Sequence, residues 1–173
     1  MMKLRLSSLF LLWIFLAAAS CNNASKKQMP VPTAEQLIEA NRKKVSTETD
    51  IIDQFIEGSG WKMKQTDTGL RYDIYTDSIG VAIQAGDLIS IDYRLYLLDG
   101  SMVENTTLSG PTTFTVEEGD VVSGLHEAVQ LLSIGDSARI IIPSYLGYGL
   151  TGDGKRIPAN AALLYDLAVV SHN

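Results

Sequence analysis

This chain has one cysteine, two histidines and no cluster of basic residues. A single cysteine cannot form a disulfide within the monomer, so the fold must be held together by its own core. His126 and His172 are far apart in sequence, and the chain shows neither a Ser-His-Asp arrangement nor a metal-ligand spacing. We therefore expect no metal site, no cofactor and no catalytic triad.

The charge balance of the chain is acidic. Lys and Arg number 14 against 20 Asp and Glu, which gives a formal net charge of -6. The longest basic runs are only residues 42–44 and 26–27. Because nucleic acids are bound by neutralising their phosphates, this composition argues against a nucleic-acid partner.

A single long apolar run, residues 9–16, lies near the N-terminus. Lys3 and Arg5 precede it and small residues follow it, which is typical of a secretory signal, and the run is short for a membrane-spanning helix. Cys21 directly follows "AAAS" and resembles the lipobox cysteine of bacterial lipoproteins, although Ala18 stands where a large aliphatic residue is usual. We expect a signal peptide over 1–20 and a lipid anchor at Cys21, which would hold an exported protein on a bacterial membrane, facing the periplasm. A chance cysteine after an ordinary cleavage site is the alternative.

Residues 21–32 and 33–58 predict a tether followed by a helix. The first segment is polar and carries two prolines, which favours an extended chain. Thr33 and Gln36 match a capping box, and apolar residues then recur at helical spacing as far as Gly58. The helix is predicted from about Ala34 to Glu57. Its apolar stripe could pack on its own domain, which is the preferred interpretation, or on a second copy.

From Trp61 onward the apolar residues recur at every second position instead of at helical spacing. Leu70, Tyr72 and Ile74 alternate with polar residues, and so do the apolar positions of residues 89–97, which predicts strands. The runs "ARIII" and "ALLYDLAVV" are nearly continuous and suit strands covered on both faces. Between them, "SGLHEAVQLL" has helical spacing. We therefore predict an α+β domain of antiparallel strands with one short internal helix.

The stretch "GLTGDGKR", residues 149–156, comes within one residue of a phosphate-binding loop. Such a loop needs Ser or Thr after its lysine and a helix that begins at the phosphate. Here Arg156 takes the hydroxyl position, and Pro158 and a predicted strand follow. We therefore expect no nucleotide partner.

Three segments together resemble a known family. "GDLISIDYRLYLLDGSMVE", "GDVVSGLHEAVQLLSIGDSARIIIPSYLGYG" and "IPANAALLYDLAV" are similar, in order and spacing, to the FKBP-type peptidyl-prolyl isomerase domain over about residues 86–170. The resemblance implies a half-open antiparallel β-sheet wrapped around a short α-helix, in a domain of residues 61–173 that begins with a short strand extension. It also implies that residues 149–156 overhang an apolar cleft, and that the protein isomerises X-Pro bonds of proline-containing clients after export.

The same resemblance assigns roles to individual residues. Catalytic roles fall to Tyr93, to the backbone N–H of Val122 and to the hydroxyl of Tyr148; the last two groups would hydrogen-bond carbonyls of the bound peptide. The substrate-binding positions are Val103, Glu104, Phe114, Val121, Leu125, Ile157 and Tyr165.

The chain departs from the family pattern at the cleft. Val103 and Glu104 stand where the family has phenylalanine followed by aspartate, Thr112 replaces a second phenylalanine, and Leu125 replaces a frequent tryptophan at the floor. The lost aromatic area predicts a shallower, wetter pocket and weaker catalysis. A weakly active or inactive chaperone or interaction module is therefore the alternative function.

Overall fold

The computed structural model of the chain describes residues 32–119 and 121–172. The predicted signal peptide, Cys21 and all but the last residue of the predicted tether lie outside these residues. The chain divides into two units, Met1–Leu37 and Ile38–Asn173. The described part of the first unit is the start of a helix, and the second unit contains all the strands.

The described residues form two helices and seven strands. Helix α1 spans Ala34–Ser59 and helix α2 spans Ser123–Val129. The strands are β1 Lys64–Gln65, β2 Arg71–Thr76, β3 Leu88–Leu97, β4 Met102–Asn105, β5 Thr112–Thr115, β6 Ser137–Ile142 and β7 Leu163–His172.

The strands form one antiparallel sheet. Its order is β1-β2-β6-β7-β3-β4, and β5 also pairs with β3. Strands β3 and β7 are the longest, with ten residues each, and they pair over almost their full length. The predicted fold class, a half-open antiparallel sheet around a short helix with a further helix at the N-terminus, is confirmed.

Strands β6 and β7 are buried on both faces, as their continuous apolar runs predict. On the face that we call the inner face, Ile140, Ile142 and Leu163 pack in one core cluster with α2. On the opposite, outer face, Ile141 and Leu164 belong to a separate cluster. Both clusters form because successive side chains of a strand point to opposite faces.

Helix α2 lies close against β6 because residue 124 is glycine. A Cβ atom at Gly124 would collide with the side chains of Ile142 and Leu146. The close approach lets Leu125 and Val129 enter the inner core, where both are almost fully buried.

Helix α1 begins at the predicted capping box. The Thr33 N–H donates to Gln36 Oε1 at 2.9 Å, and the Gln36 N–H donates to Thr33 Oγ1 at 3.3 Å. The helix ends two residues later than predicted, at Ser59, where Gly60 adopts a φ of 70°. A glycine in this conformation is a common helix terminator.

The C-terminal half of α1 packs on the outer face of the sheet. Ile52 is only 1% exposed and joins Ile141 and Leu164 in the outer cluster. The buried Arg71 guanidinium donates to Asp53 at 2.9 Å. Half of the predicted helix stripe therefore has its partner within the same chain.

The loop after β6 is also attached to α1. The Glu48 carboxylate accepts the Ser144 N–H at 2.6 Å and the Ser144 hydroxyl at 2.8 Å.

In residues 32–119 and 121–172, neither helix combines the length and the hydropathy that a bilayer-spanning segment requires.

Candidate functional site

The predicted cleft residues meet on the inner face. They come from β3, β4, β5, α2, β7 and the loops around them, and we call them the inner-face cluster. Its buried members are Val103, Phe114, Leu125, Ile157 and Tyr165, each at most 8% exposed, and its partly buried members are Tyr93, Val121 and Val122. The structure therefore brings together residues that are up to 72 positions apart in sequence (93 to 165).

Tyr93 and Tyr165 stand side by side at the centre of the cluster. Their ring centroids lie 5.2 Å apart at a tilt of 57°. Burial raises the pKa of Tyr93 to about 12; a hydrogen bond from Thr112 opposes this shift, whereas the charge of Glu104 and the bond that Tyr93 donates to it add to the shift. Burial also raises the pKa of Tyr165, with Tyr93 as a further contributor. Both hydroxyls are therefore neutral at physiological pH.

Tyr148 offers a hydroxyl at the margin of this cluster. Its side chain is 38% exposed, and its hydroxyl has no hydrogen-bond partner among the residues that the structure describes. Burial raises its pKa, and the nearby charges of Asp153 and Glu104 raise it further. Tyr148 in turn contributes to the raised pKa of Tyr93 and Tyr165. The three tyrosines thus influence one another's pKa, and within the described residues the Tyr148 hydroxyl is free to donate.

Val122 offers a second free donor. It precedes α2 in an extended conformation, with φ −66° and ψ 147°. Its carbonyl accepts the Leu125 N–H at 2.9 Å, whereas its own N–H donates to no residue within 32–119 and 121–172. Its side chain packs half-buried against the inner-face cluster.

Two polar residues at positions where the chain departs from the family pattern influence the pKa of Tyr93. Glu104 is exposed and Thr112 half-buried; Thr112 lowers the pKa of Tyr93, whereas Glu104 raises it. The neighbouring Val103 is buried at 4% exposure. Thr112 and Glu104 therefore place polar groups near Tyr93, whereas Val103 belongs to the buried core.

His126 is a residue of this region whose position the sequence did not reveal. It is buried in α2, its Nδ1 accepts the Glu117 N–H at 3.0 Å, and its ring lies edge-on to Phe114 at 5.5 Å. Glu117 has a φ of 64°, which is unusual for a residue other than glycine. His126 therefore holds the turn that leads from β5 towards Val121. The spacing of three residues between His126 and Val129 indicates that His126 lies on the buried side of the helix. No sequence pattern indicates its hydrogen bond with Glu117.

The glycines of "GLTGDGKR" occur at turns. Gly149, Gly152 and Gly154 have φ values of 60°, 69° and 70°, which other residues rarely adopt. At Gly152 a Cβ atom would also collide with the Ile157 carbonyl oxygen.

Asp153 organises the same loop. Its Oδ1 accepts the N–H groups of Lys155, Arg156 and Ile157 at 2.8, 2.9 and 2.7 Å. The bonds from Ile157 and Lys155 are the main reason why the pKa of the Asp153 carboxyl is lowered. The loop thus surrounds a carboxylate of its own, and it fixes Ile157 in the inner-face cluster. The Asp-Gly pair is a known turn signal that could have indicated this role.

Metal-ligating side chains do not gather here. Within the described part of the chain, no three His, Cys, Asp or Glu residues lie together in a way that could hold a metal ion.

Comparison with known proteins identifies the family. The model of the family described as FKBP-type peptidyl-prolyl cis-trans isomerase matches residues 80–170. The FKBP-type peptidyl-prolyl cis-trans isomerase FkpA of Aeromonas hydrophila is 34% identical over 110 residues, which are 63% of this chain and 40% of FkpA. FK506-binding protein 2 of Dictyostelium discoideum is 33% identical over 106 residues, which are 61% of this chain and 78% of that protein.

The fold agrees with this assignment. The crystal structure of FkpA from Escherichia coli aligns with a TM-score of 0.65 at 22% identity, over 99% of this chain and 83% of that chain. The chain spans about two fifths of the length of the Aeromonas FkpA that it matches. Since the family match covers more than half of the sequence, the chain belongs to the FKBP-type peptidyl-prolyl cis-trans isomerase family.

Proposed function

We propose that this protein catalyses cis-trans isomerisation of X-Pro bonds in exported polypeptides, and that the prolyl segment binds over the inner-face cluster. The observation that carries the proposal is the pairing of a buried apolar surface with two donors near it, the Tyr148 hydroxyl and the Val122 N–H, that have no partner among the described residues. The family membership of residues 80–170 supports the same reaction.

The reaction needs no nucleophile. Rotation about an X-Pro bond has a barrier of about 18–20 kcal/mol because amide resonance must be broken. The twisted transition state has lost that charge-separated resonance, so a low-polarity surface stabilises it relative to the planar ground state. Each tenfold gain in rate requires about 1.4 kcal/mol.

The two donors would bind and orient the peptide. The Tyr148 hydroxyl and the Val122 N–H would donate to carbonyls on either side of the proline, while its ring lies on Leu125, Ile157 and Tyr165. Tyr93 would act through its ring, which packs beside the ring of Tyr165. Val103, Glu104, Phe114 and Val121 would complete the substrate-binding surface.

A peptide assay tests this proposal. For Val122→Asp we expect loss of isomerisation of a short X-Pro peptide, because the variant places a charge on the apolar surface. Tyr148→Phe should lower kcat/KM by about twofold to tenfold, since one neutral hydrogen bond is worth about 0.5–1.5 kcal/mol.

Lys155→Ala is the control for both variants. Lys155 is exposed and its side chain has no role in the proposed site, so the rate should equal that of the wild type. Full activity in both Val122→Asp and Tyr148→Phe would show that the reaction occurs elsewhere. A wild-type chain that prevents aggregation of a client without isomerising peptides would be a holding module instead.

We further propose that the protein is exported and anchored to a bacterial membrane, facing the periplasm, by lipid on Cys21. The support is the order of residues 1–21: basic residues, an apolar run, small residues and the only cysteine. Several acyl chains on one residue would give a stable anchor, whereas a single chain binds membranes marginally.

Metabolic labelling with a radioactive fatty acid tests the anchor. The wild-type chain should carry label in the membrane fraction, and Cys21→Ser should carry none. Equal label on the two proteins would refute a lipid anchor at this residue and leave the isomerase proposal unaffected.

A further inference from the structure

A groove of about 900 Å³ lies beside helix α1, on the outer side of the domain. Helix α1 forms one wall and the loops that follow β3 and β6 form the other. Residues that line it include Val45, Ile51, Leu97, Leu98, Leu150 and Pro158. The groove is bounded by elements of the unit Ile38–Asn173 alone.

The lining of this groove is apolar and uncovered. Val45 and Ile51 of α1 are 43% and 52% exposed, and Leu150 of the loop after β6 is 66% exposed, although all three face one cavity. Lys44 and Asp99 add charges of both signs, which favours neither an anionic nor a cationic ligand. Concave sites with this lining bind apolar groups, because burial removes hydrocarbon surface from water.

A smaller cavity adjoins the groove and reaches a residue of the inner-face cluster. Tyr148, at the margin of the cluster, and Leu150, in the groove, are two residues and therefore at most about 7 Å apart. Leu97 and Pro158 line both the groove and a smaller cavity of about 450 Å³, whose wall also includes Ile157 of the cluster. The Asn160 N–H donates to the Gly149 carbonyl at 2.8 Å and closes this part of the loop.

We propose that the groove is a second subsite for the polypeptide whose X-Pro bond lies at the inner-face cluster, and that it binds an apolar segment several residues from the proline. This inference rests on the proposed isomerase function. The continuity just described favours such an occupant over a second copy of the chain. Val45 and Ile51 line a concave cavity, whereas helix pairing between copies buries a convex stripe.

The test compares peptides of two lengths on the full chain. A short X-Pro peptide is extended by about six apolar residues, once before and once after the proline, and each extension adds about 20 Å of reach. A peptide with a Gly-Ser extension of the same length is the control. The apolar extension should raise kcat/KM by about three- to tenfold, as expected for burial of part of one or two side chains.

Two groove variants and one matched control locate the effect. Val45→Glu and Ile51→Glu should return the ratio of long-peptide to short-peptide kcat/KM close to one. Ile79→Glu should keep the wild-type ratio, because Ile79 is a fully exposed aliphatic residue that lines neither cavity. Using a ratio removes any effect of a variant on the amount of folded protein.

Fluorescence anisotropy of a labelled long peptide gives a second readout that does not need catalysis. If the short peptide is not isomerised, the isomerase proposal fails, while weaker binding of the long peptide to the groove variants still supports the subsite. A wild-type ratio of one, or an unchanged ratio in both groove variants, overturns the subsite. Loss of a dimer in those variants on sedimentation, with the ratio unchanged, would assign the groove to a second copy.

Discussion

The two faces of the sheet are built from the same strands but serve different purposes. The inner face of β6 and β7 packs on α2 and carries the candidate site, where the donors of Tyr148 and Val122 are unpartnered within the described residues. The outer face packs on α1, and its polar contacts, Arg71 with Asp53 and Ser144 with Glu48, are paired. The inner face is thus arranged to receive a ligand, and the outer face to hold the helix.

This difference separates stability from activity. An outer-face residue such as Ile52 should contribute to unfolding free energy without touching a substrate. For an inner-face residue such as Leu125 we expect a contribution to both, because in the proposed function the packed inner-face cluster also binds the peptide.

Truncation of a buried side chain on either face should have the largest effect, a loss of stability. Ile52→Ala and Leu125→Ala should each lower the free energy of unfolding by about 2–4 kcal/mol, because both side chains are almost fully buried. Only Leu125→Ala should also lower kcat/KM of the folded protein. Urea unfolding and the peptide assay measure the two quantities.

Ile51→Ala is the matched control for the outer face. Ile51 is the neighbour of Ile52 but is 52% exposed, so its truncation should change stability by no more than about 0.5 kcal/mol. Equal destabilisation by the two variants would show that α1 is not held by its buried stripe.

Substitution of Asp153 should have an intermediate effect, on the isomerisation rate. Asp153→Ala removes the acceptor of three N–H groups, so Ile157 loses its fixed position in the inner-face cluster. We expect kcat/KM for a short peptide to fall by about three- to tenfold and trypsin to cut faster after Lys155. Asp153→Asn keeps an acceptor oxygen and should lie close to wild type; a rate for Asp153→Ala equal to that of Asp153→Asn would contradict the role of the carboxylate.

The smallest expected effect is that of pH on the isomerisation rate near neutrality, because the buried tyrosines of the inner face do not titrate there. The folded-state pKa of Tyr93 is raised to about 12, above the value of about 10 for an unfolded chain. Its contribution to stability is therefore complete below about pH 10 and is lost as pH rises towards about 12. The isomerisation rate should be constant between about pH 7 and about pH 9, and ultraviolet titration should show a late tyrosinate step that Tyr93→Phe removes. A Tyr93 step at about pH 10 would contradict its burial.

Much of the inner face could be predicted from the sequence. Alternating apolar residues located β2 and β3, and the continuous apolar runs of β6 and β7 indicated burial on both sides. The cluster itself was predicted only through the family resemblance, because residues as far apart as Tyr93 and Tyr165 share no local pattern.

The outer face was less predictable. The apolar stripe of α1 indicated that the helix packs on something, but periodicity cannot distinguish the protein's own sheet from a second copy. The groove beside Val45 and the contact between Glu48 and Ser144 both form because the loop after β6 lies next to helix α1. Interactions of this kind are set by tertiary geometry and leave no spacing in the sequence.

The loop "GLTGDGKR" shows how a sequence close to a phosphate-binding motif differs from one in chemistry. Its N–H groups converge on an anion, but that anion is covalently linked to the loop through Asp153. An internal ligand of this kind has a high effective concentration, so a free phosphate could enter only by displacing a competitor that never diffuses away. The Asp153 carboxylate therefore supplies the loop with a ligand of its own, and its hydrogen bonds position the neighbouring Ile157 rather than a nucleotide.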